Sequence, residues 1–99
     1  MSTDPTAAAG FDVDAPWRLH PQVAVRPERF GALLYHFGTR RLSFVKTPRL
    51  LDVVQRLAAE RSARTACVAA GVDAAEMPAY AAALATLARS SMICVREAA

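Results

Sequence analysis

Ninety-nine residues, 54% hydrophobic and 21% charged, suffice for one modest core and not for a core plus an accessory domain. Two distant cysteines, Cys67 and Cys94, with no Cys-x-x-Cys or Cys/His cluster, argue against a zinc site and read as reduced thiols packed as small hydrophobes. The net charge of +3 is uneven: residues 1–16 hold Asp4, Asp12 and Asp14 and no base, whereas ten bases lie between Arg18 and Arg64 against Glu28, Asp52 and Glu60, a balance that suits an acidic partner.

Residues 1–16 (MSTDPTAAAGFDVDAP) are small, acidic and punctuated by proline and glycine, the composition of a disordered acidic arm. They show no basic start followed by an apolar run, so no secretory signal is expected. The most apolar window, Met77 to Ala88, is too short for a membrane span, and a cytoplasmic protein without membrane contact is the default.

Trp17 to Lys46 reads as a strand region. A short β run at 23–26 ends in the turn signal Pro27-Glu28-Arg29-Phe30-Gly31, and the aromatic-rich run 32–37 suits a central strand. After a second turn at Gly38-Thr39-Arg40, residues 41–46 alternate with period two: Leu42 and Phe44 are expected to point inward, Arg41, Ser43 and Lys46 outward, with Val45 interrupting the polar side. Such short connections imply an antiparallel meander.

From Thr47 the period becomes helical. Thr47 and Pro48 form an N-cap and first-turn pair, and Leu50, Val53, Val54 and Leu57 make one stripe on a helix reaching about Glu60. Ser62 caps a second helix through Ala70, closed by Gly71. Asp73 and Glu76 have capping-box spacing, but Pro78 favours a turn at 73–76 and a third helix over 77–89, with Met77, Tyr80, Ala81, Leu84, Leu87 and Ala88 as its apolar stripe. Met92 to Val95 is either a short strand or a packed end. The sum is an α+β, winged-helix-like domain: a three-stranded antiparallel sheet followed by a three-helix bundle.

No catalytic constellation appears. The histidines are His20, in a turn, and His36, a structural histidine of the central strand; phosphate-loop, nucleophile-elbow and His-Glu-x-x-His patterns are missing from the sequence. A winged-helix DNA-binding module is the rival reading, because Ala66 to Tyr80 has helix-turn-helix spacing in a basic domain. Between Asp73 and Ala88, however, there is no lysine, arginine, asparagine or glutamine to read bases or hold phosphates. The bases cluster instead at Arg40, Arg41, Lys46 and Arg49, around the third strand. They read either as charges that protect an edge from aggregation or as the rim of an edge that accepts an extended acidic peptide. On the second reading, Tyr80 and Leu84 offer pockets, and proline at Ser43 or Val45, whichever amide faces outward, costs more than a charge change.

The run Trp17 to Leu51, and within it VAVRPERFGALLYHF from Val23 to Phe37, closely resembles the MftB family of mycofactocin system peptide chaperones, which are PqqD-like RiPP recognition elements. The tail GVDAAEMPAYAAAL, Gly71 to Leu84, fits as well, so that the resemblance covers about residues 16–96. It implies a peptide-recognition domain over residues 17–96, with no enzymatic activity, no cofactor and no bound metal. The domain would bind the leader of a short acidic precursor peptide as an added strand, between its third strand and third helix, and deliver it to a radical S-adenosylmethionine (SAM) maturase. Nucleic acid is not an implied partner. Carried onto this chain, the peptide site is Arg40, Arg41, Leu42, Ser43, Phe44, Val45 and Lys46 with Met77, Tyr80, Ala81 and Leu84.

Overall fold

The structure, a computed structural model, describes residues 11–96. Its elements run β1 (Trp17–Leu19), β2 (Val23–Glu28), β3 (Gly31–His36), β4 (Leu42–Val45), α1 (Pro48–Arg56), α2 (Ala63–Ala69), α3 (Met77–Arg89) and β5 (Ile93–Val95), with a single 3-10 turn at Leu57–Ala59 after α1. The α+β class and the antiparallel meander stand, β2-β3-β4 forming one three-stranded sheet. The expected single sheet followed by all the helices needs correction. A second, two-stranded sheet pairs β1 antiparallel with β5, so the chain returns to strand after its last helix. Of the two alternatives for Met92 to Val95, the short strand is the one that forms; its pairing is not legible, because each three-residue strand is defined by a partner at the other end of the chain.

Residues 1–10 of the expected arm lie outside the described residues, but 11–16 are docked. The first-turn amides of α2 have no intrahelical acceptors, and two of them donate outward: Ala63 N–H to the Ala15 carbonyl (3.2 Å) and Arg64 N–H to the Val13 carbonyl (2.8 Å). Asp14 bonds Arg64 at 2.7 Å, and this hydrogen bond holds the Asp14 carboxyl below the usual carboxylate range. Phe11 stacks on Trp17 at 4.7 Å, whose indole N–H donates to the Asp12 carbonyl at 2.8 Å. Composition cannot reveal this docking, because main-chain carbonyls do much of the work.

The helix caps follow the sequence. Thr47 Oγ1 accepts from Leu50 N–H (3.1 Å), and Ser62 and Thr65 exchange a reciprocal capping box. Asp73 and Glu76 also exchange side-chain to backbone bonds, at 3.0 and 3.2 Å, around a turn that delivers the chain to Met77. The core is continuous from Ala32, Leu34 and Val45 of the meander, through Val53, Val54 and Leu57, to Leu84, Leu87, Met92 and Ile93. Cys67 is buried, which pushes its thiol pKa up, and Cys94 is half-buried; both are free thiols.

One glycine fixes the position of β4. Gly31, at φ +158°, opens β3 where a Cβ would run into the Val45 carbonyl oxygen and crowd the Thr47 backbone. Gly31→Ala is therefore expected to destabilise the fold by about 3 kcal/mol, the upper part of the range for overpacking, because main chain has little room to yield. Thermal or urea unfolding of the variant against the parent checks this.

Candidate peptide-binding site

Strand β4 lies at the edge of its sheet. It pairs with β3 on one side (Ala32 with Val45, Leu33 with Phe44, Leu34 with Ser43, Tyr35 with Leu42), and among the described residues no strand pairs with its other side. The hydrogen-bonding phase can be fixed from both neighbours of β3. His36 N–H donates to the Arg41 carbonyl (3.0 Å) and Phe37 N–H to the Gln22 carbonyl (2.9 Å). In an antiparallel ladder such pairs alternate, so even-numbered residues of β3 bond β4 and odd-numbered ones bond β2. Ser43 and Val45 thus spend their main-chain groups on β3, as does the Arg41 carbonyl, while Arg41 N–H donates to Thr39 Oγ1 (3.2 Å). Leu42, Phe44 and Lys46 present theirs to the open edge. The expectation that Ser43 or Val45 carries the outward amide is corrected: neither does.

The side-chain phase is also inverted. Val45 is fully buried and Ser43 half-buried, on the face toward the helices, whereas Leu42 and Phe44 are 57% and 59% exposed. The period of two was legible; its phase is set by the turn. His36 is buried, and its Nδ1 accepts the amides of Gly38 (3.0 Å) and Thr39 (3.1 Å). Arg40 then takes a left-handed conformation (φ 65°) to re-enter the strand. That geometry turns Ser43 and Val45 inward and leaves Leu42 and Phe44 on the outer face beside Tyr35 and Leu33.

Between the open edge and α3 runs a cleft. Its middle, about 280 Å³, is lined by Phe44, Lys46, Leu50, Ala83, Thr86 and Leu87. Toward the start of α3 it continues as about 180 Å³ between Thr47, Leu50, Ala79, Tyr80 and Ala83. Toward the end of α3, Thr39, Arg41, Arg89, Ser90 and Ser91 enclose about 210 Å³. Strand and helix are therefore antiparallel walls. They meet at Ser43 Oγ and Ser90 Oγ, 3.4 Å apart, and Arg49 paired with Glu76 (3.1 Å) ties α1 to the turn before α3.

Of the residues expected in the site, Arg41, Phe44, Lys46 and Tyr80 line the cleft. Leu42 and Ser43 flank it, Arg40 stands in the turn at its end, and Val45 is core. On α3 most of the expected residues lie away from the cleft. Leu84 is fully buried, Met77 packs against the core, and Ala81 lines a different cavity, with Phe11, Ala82 and Ala85. The cleft wall is instead Ala79, Ala83, Thr86 and Arg89, a row spaced by three and four that hydrophobicity alone does not mark.

Among the described residues no cluster of histidine, cysteine or carboxylates has metal-ligand grouping, and no helix is long and apolar enough to cross a membrane. The α2–α3 pair has helix-turn-helix order, but Glu76 at its turn is engaged with Arg49.

Residues 16–94 match the model of the peptide chaperone MftB family. The chain is 59% identical to the peptide chaperone MftB of Mycobacterium ulcerans, the alignment covering 93% of this chain and 87% of that protein. It is 59% identical to that of Mycobacterium tuberculosis (88% and 80% covered) and 53% identical to that of Mycolicibacterium smegmatis (94% and 91% covered). No solved structure matches. The relatives bear the name of a chaperone, a role without catalysis. With a family model spanning most of the chain and relatives this similar along nearly their whole lengths, the chain belongs to the MftB family of peptide chaperones.

Proposed function

We propose that this protein binds the leader of the mycofactocin precursor peptide as a fourth strand on the open edge of β4 and presents it to the radical SAM maturase. The observation that carries the reading is the coincidence of that edge with the cleft. The free main-chain groups of Leu42, Phe44 and Lys46 border a trough whose far wall is α3, so an added strand gains ladder bonds and side-chain burial together. Arg40, Arg41 and Lys46 stand exposed around it and attract an acidic peptide, raising its rate of encounter. A meander followed by helices, with a groove between its last strand and α3, also fits the winged-helix plan of PqqD-like recognition elements. The reading places the protein in the cytoplasm, as a carrier with no chemistry of its own.

The test is titration of the purified protein with synthetic precursor peptide, followed by calorimetry and by amide NMR shifts. The expected result is one peptide per chain, with the largest shifts at residues 42–46 and along α3, and maturase turnover that depends on the complex. Shifts confined to Ala24, Arg26 and the outer sheet face, or a duplex DNA affinity exceeding that for the peptide, would overturn it.

A further inference from the structure

The cleft is not uniform, and its polar end has the chemistry of a carboxylate pocket. Arg26, Arg49, Arg56 and Arg64 are each paired with an acidic side chain. Arg41 and Arg89 line one cavity together, and among the described residues neither has a carboxylate partner. Thr39, Ser90 and Ser91 complete the wall, so hydroxyl groups and two guanidinium groups surround about 210 Å³ with no acid among them. Planar guanidinium groups suit a carboxylate because each offers two parallel N–H donors.

Two further features favour this end of the cleft. The C-terminus of α3 would ordinarily repel an anion through its free carbonyls. Here three of them are occupied: Ser90 N–H donates to Thr86, Ser91 N–H to Ala88 and Met92 N–H to Leu87, at 3.2, 3.1 and 2.9 Å. Of the described non-glycine residues with positive φ, Ser91 (63°) lines this cavity, and Arg40 (65°) is the chain neighbour of Thr39 and Arg41, which line its other wall. Left-handed backbone is costly for side-chain-bearing residues, and such outliers concentrate where a site needs them.

Geometry turns this pocket into a sequence rule. On β4, Arg41, Ser43 and Val45 share the face toward the helices, at intervals of about 6.6 Å. On α3, Ala79 and Arg89 lie about 15 Å apart along the axis, close to the roughly 13 Å from Arg41 to Val45. A peptide strand on β4 therefore turns every second side chain toward α3. The one across from Arg41 meets the arginine pocket; those across from Ser43 and Val45 meet the apolar reaches at Thr86, Leu87 and Ala83 and at Ala79 and Tyr80. We infer that the protein selects an extended peptide segment with one aspartate or glutamate held by Arg41 and Arg89, and apolar side chains two and four residues away from it. This rests on the strand-addition reading and adds to it a register and a specificity pocket.

A coupling experiment tests the pocket. Synthetic precursor peptides in which each acidic residue in turn becomes its amide are titrated against the parent protein and against an Arg41→Gln/Arg89→Gln double variant. On the parent, one exchange is expected to weaken binding about tenfold, as for loss of a charge-assisted hydrogen bond, and the others far less. On the double variant, with its thermal melt unchanged, that same exchange should cost less than about twofold, because its partners are gone. A single dominant acid that loses its dominance on the variant supports the pocket. Equal small losses at every acid, disappearing together at high salt, would mean diffuse attraction and sink the pocket while leaving strand addition intact. A dominant acid with undiminished effect on the variant sinks it too. Failure of the unmodified peptide to bind the parent protein overturns the strand reading itself.

Discussion

Phe44→Pro is expected to leave the domain folded and to weaken precursor-peptide binding by about ten- to a hundredfold. The amide at Phe44 points to the open edge, so proline removes a donor that β3 does not use. A carbonyl of the incoming strand then loses its partner as it is covered, at a cost of about 1–3 kcal/mol, with each 1.4 kcal/mol equal to tenfold in affinity. Phe44→Ala separates backbone from side chain: it keeps the amide and should fall between parent and proline variant. Ser43→Pro is the contrasting case. Its amide belongs to the β3–β4 ladder, so proline there should lower the melting temperature whether or not peptide is present. Calorimetry with parallel thermal melts reads both quantities. Equal peptide affinity for Phe44→Pro and the parent would remove strand addition from the mechanism.

The second large effect is expected at the opposite wall. Ala83 lines both the middle and the upper reach of the cleft and makes no use of that space itself. Ala83→Phe should fill the trough and exclude an apolar peptide side chain whose burial contributes about 1.5–3 kcal/mol, weakening binding by roughly ten- to a hundredfold. The change sits on the cleft side of α3 while Leu84 and Leu87 hold the helix to the core, so the fold should persist. Fluorescence anisotropy with labelled peptide checks the loss. Unchanged affinity would mean that the peptide does not enter this groove.

The two variants bear on different walls, and those walls differ in how far the chain alone reveals them. Thr47-Pro48 and Ser62 mark helix starts through local hydrogen-bonding chemistry, and α1 and α2 begin there; Asp73 and Glu76 close the expected turn, and α3 starts after it at Met77. The third helix runs over the expected residues, Met77 to Arg89. Edge strand β4 was legible as a strand from its alternation, but not which residues it turns inward. Leu42 and Phe44 look like core residues by type and are surface; Ser43 looks like surface and faces the helices. A strand's phase shifts by one residue with the geometry of the turn before it, and here that geometry depends on buried His36 accepting two turn amides.

The face of α3 is a similar case. Met77, Tyr80, Ala81, Leu84 and Leu87 form a stripe that any hydrophobicity reading finds, and most of it belongs to the core. The cleft wall at Ala79, Ala83, Thr86 and Arg89 carries no apolar signal, since small residues mark a cleft only once something stands opposite them. Docking of residues 11–16 on α2, and the pairing of β1 with β5, escape a local reading for the same reason.

The sequence by itself determined the class of fold, the helix boundaries, the edge strand with its basic surroundings, and the family. These rest on local chemistry and on a run of residues that can be matched directly. Only the tertiary structure decided which amides of β4 are free, which face of α3 borders them, and that Arg41 and Arg89 share one pocket. Each of those facts is a relation between segments far apart in the chain, fixed by turns and packing rather than by any residue's own preference.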